Sequence, residues 1–256
     1  MQFSTIFRLL LGRDFRWSPS EASEQYLEIL PLFADDRSAL FGIHQLSMVS
    51  SEDRPVGTWF GPNAVAQAIK KMVQFDPQQR LNVQVAMNNV LILSDFPLVN
   101  WRPLLLFVPV RLGINEINPT YFTSLKTCFE LEQCVGVIGG RPNHALFYVG
   151  YSCDDLICLD PHVTQDSVNV GTKSCPDEEE ADSTYHTELF YRWHMDQLDP
   201  SIALVSMTIY SVGKSLKSFI LPNETFLMVF EQCDDYCVDV HILKDDLISE
   251  EKMSLF

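Results

Sequence analysis

The order of apolar and polar positions divides the chain into a helical first part and a second part of short strands. Apolar residues at helical spacing predict helices over residues 3–11, 20–32, 37–47 and 61–74. From about residue 83 the pattern changes to short apolar runs, which predict strands at 89–93, 103–110, 135–138, 145–151, 156–159, 202–210 and 226–230. One further helix, at about 119–130, interrupts them. Helices followed by a largely antiparallel sheet predict an α+β fold.

The end of the chain differs in composition from the rest. Residues from Glu231 onward are rich in Asp and Glu, whereas the predicted helices and strands lie almost entirely before that point. Residues 171–183 contain another acidic run and are predicted to form a solvated loop. The pattern therefore predicts a domain over residues 1–230 and an acidic tail over residues 231–256.

Composition narrows the class of protein and of partner. The 256 residues are 46% hydrophobic and include 17 Phe, which is typical of a folded globular chain. A net charge of −16 argues against nucleic acid as a partner, because phosphate binding needs Lys and Arg. Seven cysteines without framework spacing predict reduced thiols in the cytoplasm. No apolar run is long enough to predict a transmembrane segment.

The strongest local signal is a short Asp-Pro-His sequence after a predicted buried strand. Asp160 and His162 are separated by one residue, so in an extended segment both side chains project to the same side. Pro161 favours that extended backbone at Asp160. A carboxylate beside an imidazole is the arrangement of a general base and the group that orients it. Alternatively, Asp160 opens a turn and His162 is a surface histidine.

No cysteine in the sequence has the basic neighbours that activate a thiol. Cys158 lies in an apolar run and is expected to face the core, and others stand next to acidic residues, which disfavour the thiolate. Cys233, Cys237 and His241 repeat every four residues, the spacing of one helical face, but they lack the fourth ligand of a structural zinc site. We therefore expect neither a metal nor a cofactor.

Two glycine-rich segments could contribute to binding. Residues 136–140 contain three glycines, but they lead into a strand rather than a helix, which indicates a mobile loop rather than a phosphate site. Trp59 lies between Gly57 and Gly61 and has either a core-packing or a recognition role.

Together these segments resemble the autophagy-related cysteine proteases, the autophagins. The matching stretches are GTWFGPNAVAQ at residues 57–67, RLGINEINPTY at 111–121, GGRPNHA at 139–145, LDPHVTQ at 159–165 and LDPSIA at 198–203. They occur in the order of the family and span about residues 8 to 230.

The resemblance implies a papain-like fold and a Cys-His-Asp peptidase that processes and delipidates ubiquitin-like autophagy modifiers. Asp160 and His162 match the catalytic Asp and His of the family. Trp59 matches a tryptophan beside the C-terminal glycine of the substrate, and Gly139 and Gly140 match a loop that moves to admit the substrate tail. The partner implied is the modifier, free or lipid-conjugated, which would bring transient contact with a membrane surface.

The family's nucleophile stands in a Gly-Trp-Gly-Cys motif that has no counterpart here. Residues 12–17 match the end of the helix that the motif opens, and the predicted helix 3–11 has no N-cap residue. The expectation is a chain that lacks its first segment and is inactive alone. Three alternatives stay open: a fragment or incomplete gene model, a non-catalytic isoform that binds the modifier, and a substitute among the seven cysteines.

Overall fold

The protein has the predicted α+β fold, with helices packed on a largely antiparallel sheet. The computed structural model describes residues 24–50, 55–87, 90–92, 102–131, 133–141, 143–164, 185–187, 189–208, 228–232 and 237–242. The predicted helix 3–11, the predicted acidic loop 171–183 and most of the predicted tail lie outside these residues.

Four α-helices and ten strands are formed by the described residues. The helices are α1 (Glu24–Ile29), α2 (Ile43–Ser50), α3 (Pro62–Val73) and α4 (Phe122–Glu130). The strands are β1 (Asn82–Val85), β2 (Val90–Ile92), β3 (Leu104–Arg111), β4 (Cys134–Arg141), β5 (His144–Ser152), β6 (Asp155–Leu159), β7 (Tyr191–His194), β8 (Ser201–Thr208), β9 (Met228–Gln232) and β10 (Cys237–Ile242). Within the described ranges, no helix has the length and apolar character needed to cross a bilayer.

The main sheet has seven strands in the order β1-β3-β8-β4-β5-β6-β7. Its pairs are antiparallel except β1 with β3, which run parallel. A second sheet places β10 between β2 and β9. The three consecutive strands β4, β5 and β6 form a meander whose ends carry the candidate site.

Both faces of the main sheet are buried, which explains the unbroken apolar run of β3. Leu104 and Leu106 join one core cluster, together with Leu125 of α4, while Leu105 and Phe107 join a second one on the opposite face. Helix α3 covers this second face with Ile69 and its apolar neighbours. Alternating side chains can all be apolar only when helices cover both faces.

Several predicted elements differ from the observed ones at their ends. The helix predicted over 37–47 begins only at Ile43, because the Asp36 carboxylate accepts a hydrogen bond from the Ser38 backbone N–H at 2.7 Å and stabilises a turn instead. The sequence pattern does not predict strands β1, β7 and β10. Strand β7 is an edge strand with exposed polar residues, so it lacks the apolar pattern of a buried strand.

The glycine-rich segment 136–140 is a strand, and its interpretation as a mobile loop is wrong. Gly139 pairs with Leu146 and Gly140 with Ala145 in the β4–β5 ladder, and both glycines are buried. A β-carbon at Gly139 would lie 2.5 Å from Cε2 of Tyr148. The glycine is therefore needed for the close packing of an aromatic ring on the strand.

Part of the predicted tail contributes to the second sheet. Cys237 and His241 both lie in β10, so the helical interpretation of their spacing is wrong, and Cys233 lies outside the described residues. The boundary at residue 230 stays a prediction.

A partly buried histidine, His186, predicts a loss of stability in mild acid. His186 Nε2 lies 2.9 Å from the hydroxyl of Tyr26, which is fully buried in α1, and burial lowers the pKa of His186 to about 4 from 6.5. The unfolded chain therefore binds more protons than the folded one between these values, so stability is full above pH 6.5 and falls as the pH drops to 4. We expect the urea midpoint to fall over this range, and less so in His186→Gln.

The exposed His194, which contacts Asp196 at 2.6 Å, provides the control. His194→Gln should retain the fall of the urea midpoint in mild acid. An equal acid response in His186→Gln and the unchanged protein would contradict this assignment.

Candidate active site

Asp160 and His162 lie together where β6 ends. Strand β6 stops at Leu159, and the Asp160 carboxylate Oδ1 accepts hydrogen bonds from the His162 backbone N–H at 3.0 Å and from His162 Nδ1 at 2.6 Å. The backbone bond closes a short turn that holds the imidazole against the carboxylate. This is the juxtaposition that the Asp-Pro-His sequence predicted, while the catalytic role of the pair stays a prediction.

The second carboxylate oxygen of Asp160 binds a histidine that sequence analysis did not single out. His144 Nε2 lies 2.9 Å from Asp160 Oδ2, and the rings of His144 and His162 stack with their centroids 4.2 Å apart. One carboxylate thus joins two imidazoles, one from the first residue of β5 and one from the segment that follows β6.

The β4–β5 hairpin places His144 in this position. His144 is the first residue of β5 and pairs with Arg141, while Asn143 between them takes a φ of 62°. The guanidinium of Arg141 lies 3.5 Å above the ring of Trp193 in β7. This cation–π contact anchors the end of the hairpin, and with it the backbone of His144.

Hydrogen bonding keeps Asp160 ionised. Burial acts to raise the pKa of this carboxyl, but the hydrogen bonds from the His162 backbone and from both imidazoles outweigh burial and lower the pKa to about 2. An ionised carboxylate only accepts hydrogen bonds, so His162 donates from Nδ1 and His144 donates from Nε2. Neutral His162 therefore has the free lone pair on Nε2, the atom that can accept a proton.

Two of the four described thiols, those of Cys128 and Cys158, are poor partners for that base. Cys158 is fully buried, its sulfur lies 3.4 Å from the carbonyl oxygen of Tyr191, and burial raises its pKa to about 11. Burial also raises the pKa of Cys128 far above its ordinary value. Cys158 thus faces the core, as the sequence predicts, and neither thiol forms a thiolate near neutral pH.

Trp59 lies outside the core. Its side chain is 48% exposed and precedes α3, whereas Gly139 and Gly140 lie buried in β4. Exposure removes the core-packing alternative for Trp59. The binding roles of Trp59, Gly139 and Gly140 stay predictions.

Three of the matching stretches meet around one cavity of about 430 Å³. It is lined by the start of α3 at Gly61, by Arg111 at the end of β3 and by Ser201 at the start of β8. Arg111 Nη1 donates to Ser201 Oγ at 2.8 Å and so connects two of the stretches. Three segments that are far apart in sequence thus line the same cavity.

Comparisons with known proteins agree with this architecture. A family model described as the Peptidase C54 catalytic domain matches residues 1–213. The chain is 38% identical to the Cysteine protease ATG4A of Xenopus laevis, with 76% of this chain and 56% of that protein covered. It is 37% identical to the Cysteine protease ATG4A of Mus musculus and to the Cysteine protease ATG4B of Xenopus laevis, again with 76% of this chain and 56% and 57% of those proteins covered. The chain therefore spans little more than half the length of these relatives.

Proposed function

Because this chain belongs to the Peptidase C54 family, whose fold is papain-like, we propose that it contributes the base of a cysteine peptidase active in autophagy. The substrates proposed are small ubiquitin-like autophagy modifiers, cut after their C-terminal glycine. The observation that supports this most directly is the 2.6 Å contact between His162 Nδ1 and the Asp160 carboxylate. It leaves His162 Nε2 free to exchange a proton with a nucleophile.

The proposed chemistry is acyl transfer to a thiolate. The thiolate attacks the glycine carbonyl, the carbon–nitrogen bond breaks, and protonated His162 gives its proton from Nε2 to the leaving amine. Water then attacks the thioester, and His162 Nε2 accepts the proton that this water loses. Asp160 stays ionised and stabilises the imidazolium in both steps.

The proposed partner is the modifier, either as a free precursor or joined to a lipid through its glycine. Release from the lipid would bring this protein to a membrane surface transiently, and the cytosol is the compartment we propose. Trp59 supports recognition of the modifier because half-exposed tryptophan contributes a large rigid contact surface at binding sites.

We expect the 256-residue chain to be inactive alone and active when an upstream segment carrying the Gly-Trp-Gly-Cys motif is present. The reason is that the sequence contains no Gly-Trp-Gly-Cys motif, and that burial raises the pKa of two of the four described thiols, Cys128 and Cys158. The measurement is cleavage of a modifier that carries a C-terminal tag, with the new C-terminus read by mass spectrometry.

The matched control is the extended chain with the motif cysteine replaced by alanine, which should bind the modifier without cutting it. Cleavage by the 256-residue chain itself would contradict the expected inactivity. Cleavage at a residue other than glycine would contradict the proposed specificity. If the extended chain binds the modifier through Trp59 and never cuts it, the non-catalytic alternative is correct.

A further inference from the structure

His144, Asp160 and His162 bring three metal-binding atoms together. One ligand atom from each side chain lies within 4.8 Å of the others. We propose that these three residues form a binding site for a divalent transition metal ion of the zinc class. The expectation that no metal binds rests on Cys233, Cys237 and His241 alone, because the sequence does not show that His144 lies beside the Asp160 carboxylate.

The ligand types fit this class of ion. Two imidazole nitrogens and one carboxylate oxygen form the kind of three-ligand set in which zinc keeps a fourth position for water. The three side chains are between about a fifth and a half exposed, so water has access to that position. Cys158 does not complete the set in this arrangement, because its buried sulfur contacts the carbonyl of Tyr191.

The distances are close to those of a metal site. Ligand atoms about 2.0–2.1 Å from a tetrahedral zinc ion lie about 3.3 Å from one another. His162 Nδ1 lies 2.6 Å from Asp160 Oδ1 and His144 Nε2 lies 2.9 Å from Asp160 Oδ2, so the imidazole beside the ligating oxygen must move away by less than 1 Å. The wider separations, which are at most 4.8 Å, must close. Rotation of two partly exposed rings about their side-chain bonds is sufficient for both changes.

Electrostatics favours a cation at this position. An aspartate carboxyl is ordinarily ionised near neutral pH, and the whole chain carries a formal net charge of −16. Both imidazoles are neutral ligands once the proton on the ligating nitrogen moves to the other ring nitrogen. Metal binding at His144 Nε2 and His162 Nδ1 therefore requires only a change of tautomer in each ring.

If the chain has the proposed function, the tautomer change in His162 also affects catalysis. When a metal ion occupies Nδ1 of His162, the ring proton lies on Nε2, the atom that must accept a proton from the nucleophile. The ion also takes the Asp160 oxygen that orients the ring. A bound metal ion would thus inhibit the proposed peptidase by occupying the groups that act on the proton.

The test is a titration of the reduced 256-residue chain with Co²⁺, which reports its ligands by visible absorption. We expect saturable bands typical of nitrogen and oxygen ligands that disappear when Zn²⁺ is added. His144→Asn should weaken Co²⁺ binding by about tenfold or more, because one of three ligands is lost. His44→Asn is the matched control, since His44 is also an exposed histidine beside a carboxylate, 3.2 Å from Asp35.

Three outcomes would overturn the proposal. The first is no saturable absorption at millimolar Co²⁺, the second is equal affinity in His144→Asn and His44→Asn, and the third is the near-ultraviolet band of a sulfur ligand. If circular dichroism shows that His144→Asn is not folded, the test uses the unchanged protein instead. In that protein, Co²⁺ should broaden the NMR ring signals of His144 and His162 before those of His44. Simultaneous broadening of all these signals would refute the site. Because no substrate is present, the result is independent of whether the chain contributes to a peptidase.

Discussion

His162→Ala is expected to lower kcat for modifier cleavage by about 10²–10⁴-fold, the usual contribution of a general acid–base group. The variant is made in the extended chain, which carries the upstream segment with the Gly-Trp-Gly-Cys motif. KM should change little, because His162 acts on the proton of the nucleophile and of the leaving amine rather than on the body of the modifier. The measurement is steady-state cleavage of the tagged modifier at several substrate concentrations.

Asp160→Asn tests the second half of the same pair. An amide in place of the carboxylate can present its N–H group to the ring and favour the tautomer with the proton on Nε2 of His162. It also no longer stabilises the imidazolium. We therefore expect a loss in kcat comparable to that of His162→Ala, and little further loss when the two are combined, because the residues act as a unit.

His44→Ala is the matched control for both variants, since it removes an exposed histidine that contacts a carboxylate outside the candidate site. It should leave kcat unchanged. Cleavage by His162→Ala at a rate close to that of the extended chain would remove the basis of the proposed mechanism, whatever the effect of Asp160→Asn.

The parts of this structure that the sequence predicts are those in which local pattern and tertiary packing agree. Helix α3 begins at Pro62 as expected, because an N–H in the first turn of a helix makes no intrahelical hydrogen bond, so proline, which lacks one, fits there. The apolar face of α3 packs on the sheet. Asn118 caps the 3-10 helix Pro119–Tyr121, which leads directly into α4, and its side chain accepts from the Thr120 backbone N–H at 3.0 Å. The contact between Asp160 and His162 is predictable because the two residues are separated by one position, so it depends only on the local backbone.

His144 could not be predicted because one irregularity determines its position. Strand β5 has a bulge between Tyr148 and Gly150, which shifts its register against β6 by one residue. Without the bulge, the pairing of Ser152 with Asp155 would continue to Ala145 opposite His162. With the bulge, the observed pairs are Tyr148 with Cys158 and Phe147 with Leu159, and this register extended past the end of β6 sets His144 opposite His162, whose ring stacks on it. No pattern in the sequence marks that bulge.

The glycines of β4 show a different limit of sequence analysis. Three glycines in five residues are typical of a loop, and the local pattern contains nothing to correct that interpretation. The correction comes from Tyr148 on the neighbouring strand, whose ring lies over Gly139 and whose hydroxyl donates to the Gly140 carbonyl at 3.2 Å. Such a contact exists only once the two strands have paired.

This packing predicts that Gly139→Ala destabilises the fold by about 1–3 kcal/mol, the usual cost of overpacking a core. The new methyl group would lie 2.5 Å from Cε2 of Tyr148 and 3.2 Å from Cγ2 of Ile202, and the tyrosine ring is fully buried and cannot turn away. Urea unfolding should show a lower midpoint with an unchanged slope, because the surface exposed on unfolding stays the same.

Gly150→Ala provides the matched control, since a β-carbon at Gly150 of β5 meets nothing within 4 Å. Its free energy of unfolding should differ by no more than about 0.5 kcal/mol from that of the unchanged protein. Tyr148→Leu removes the ring that the new methyl group meets, so the loss from Gly139→Ala should be smaller in that background, and the difference measures the coupling of the two residues. Equal losses in both backgrounds would show that Tyr148 is not what requires a glycine in β4. A large loss in Gly150→Ala would instead indicate that any side chain in place of a strand glycine is harmful, regardless of its neighbours.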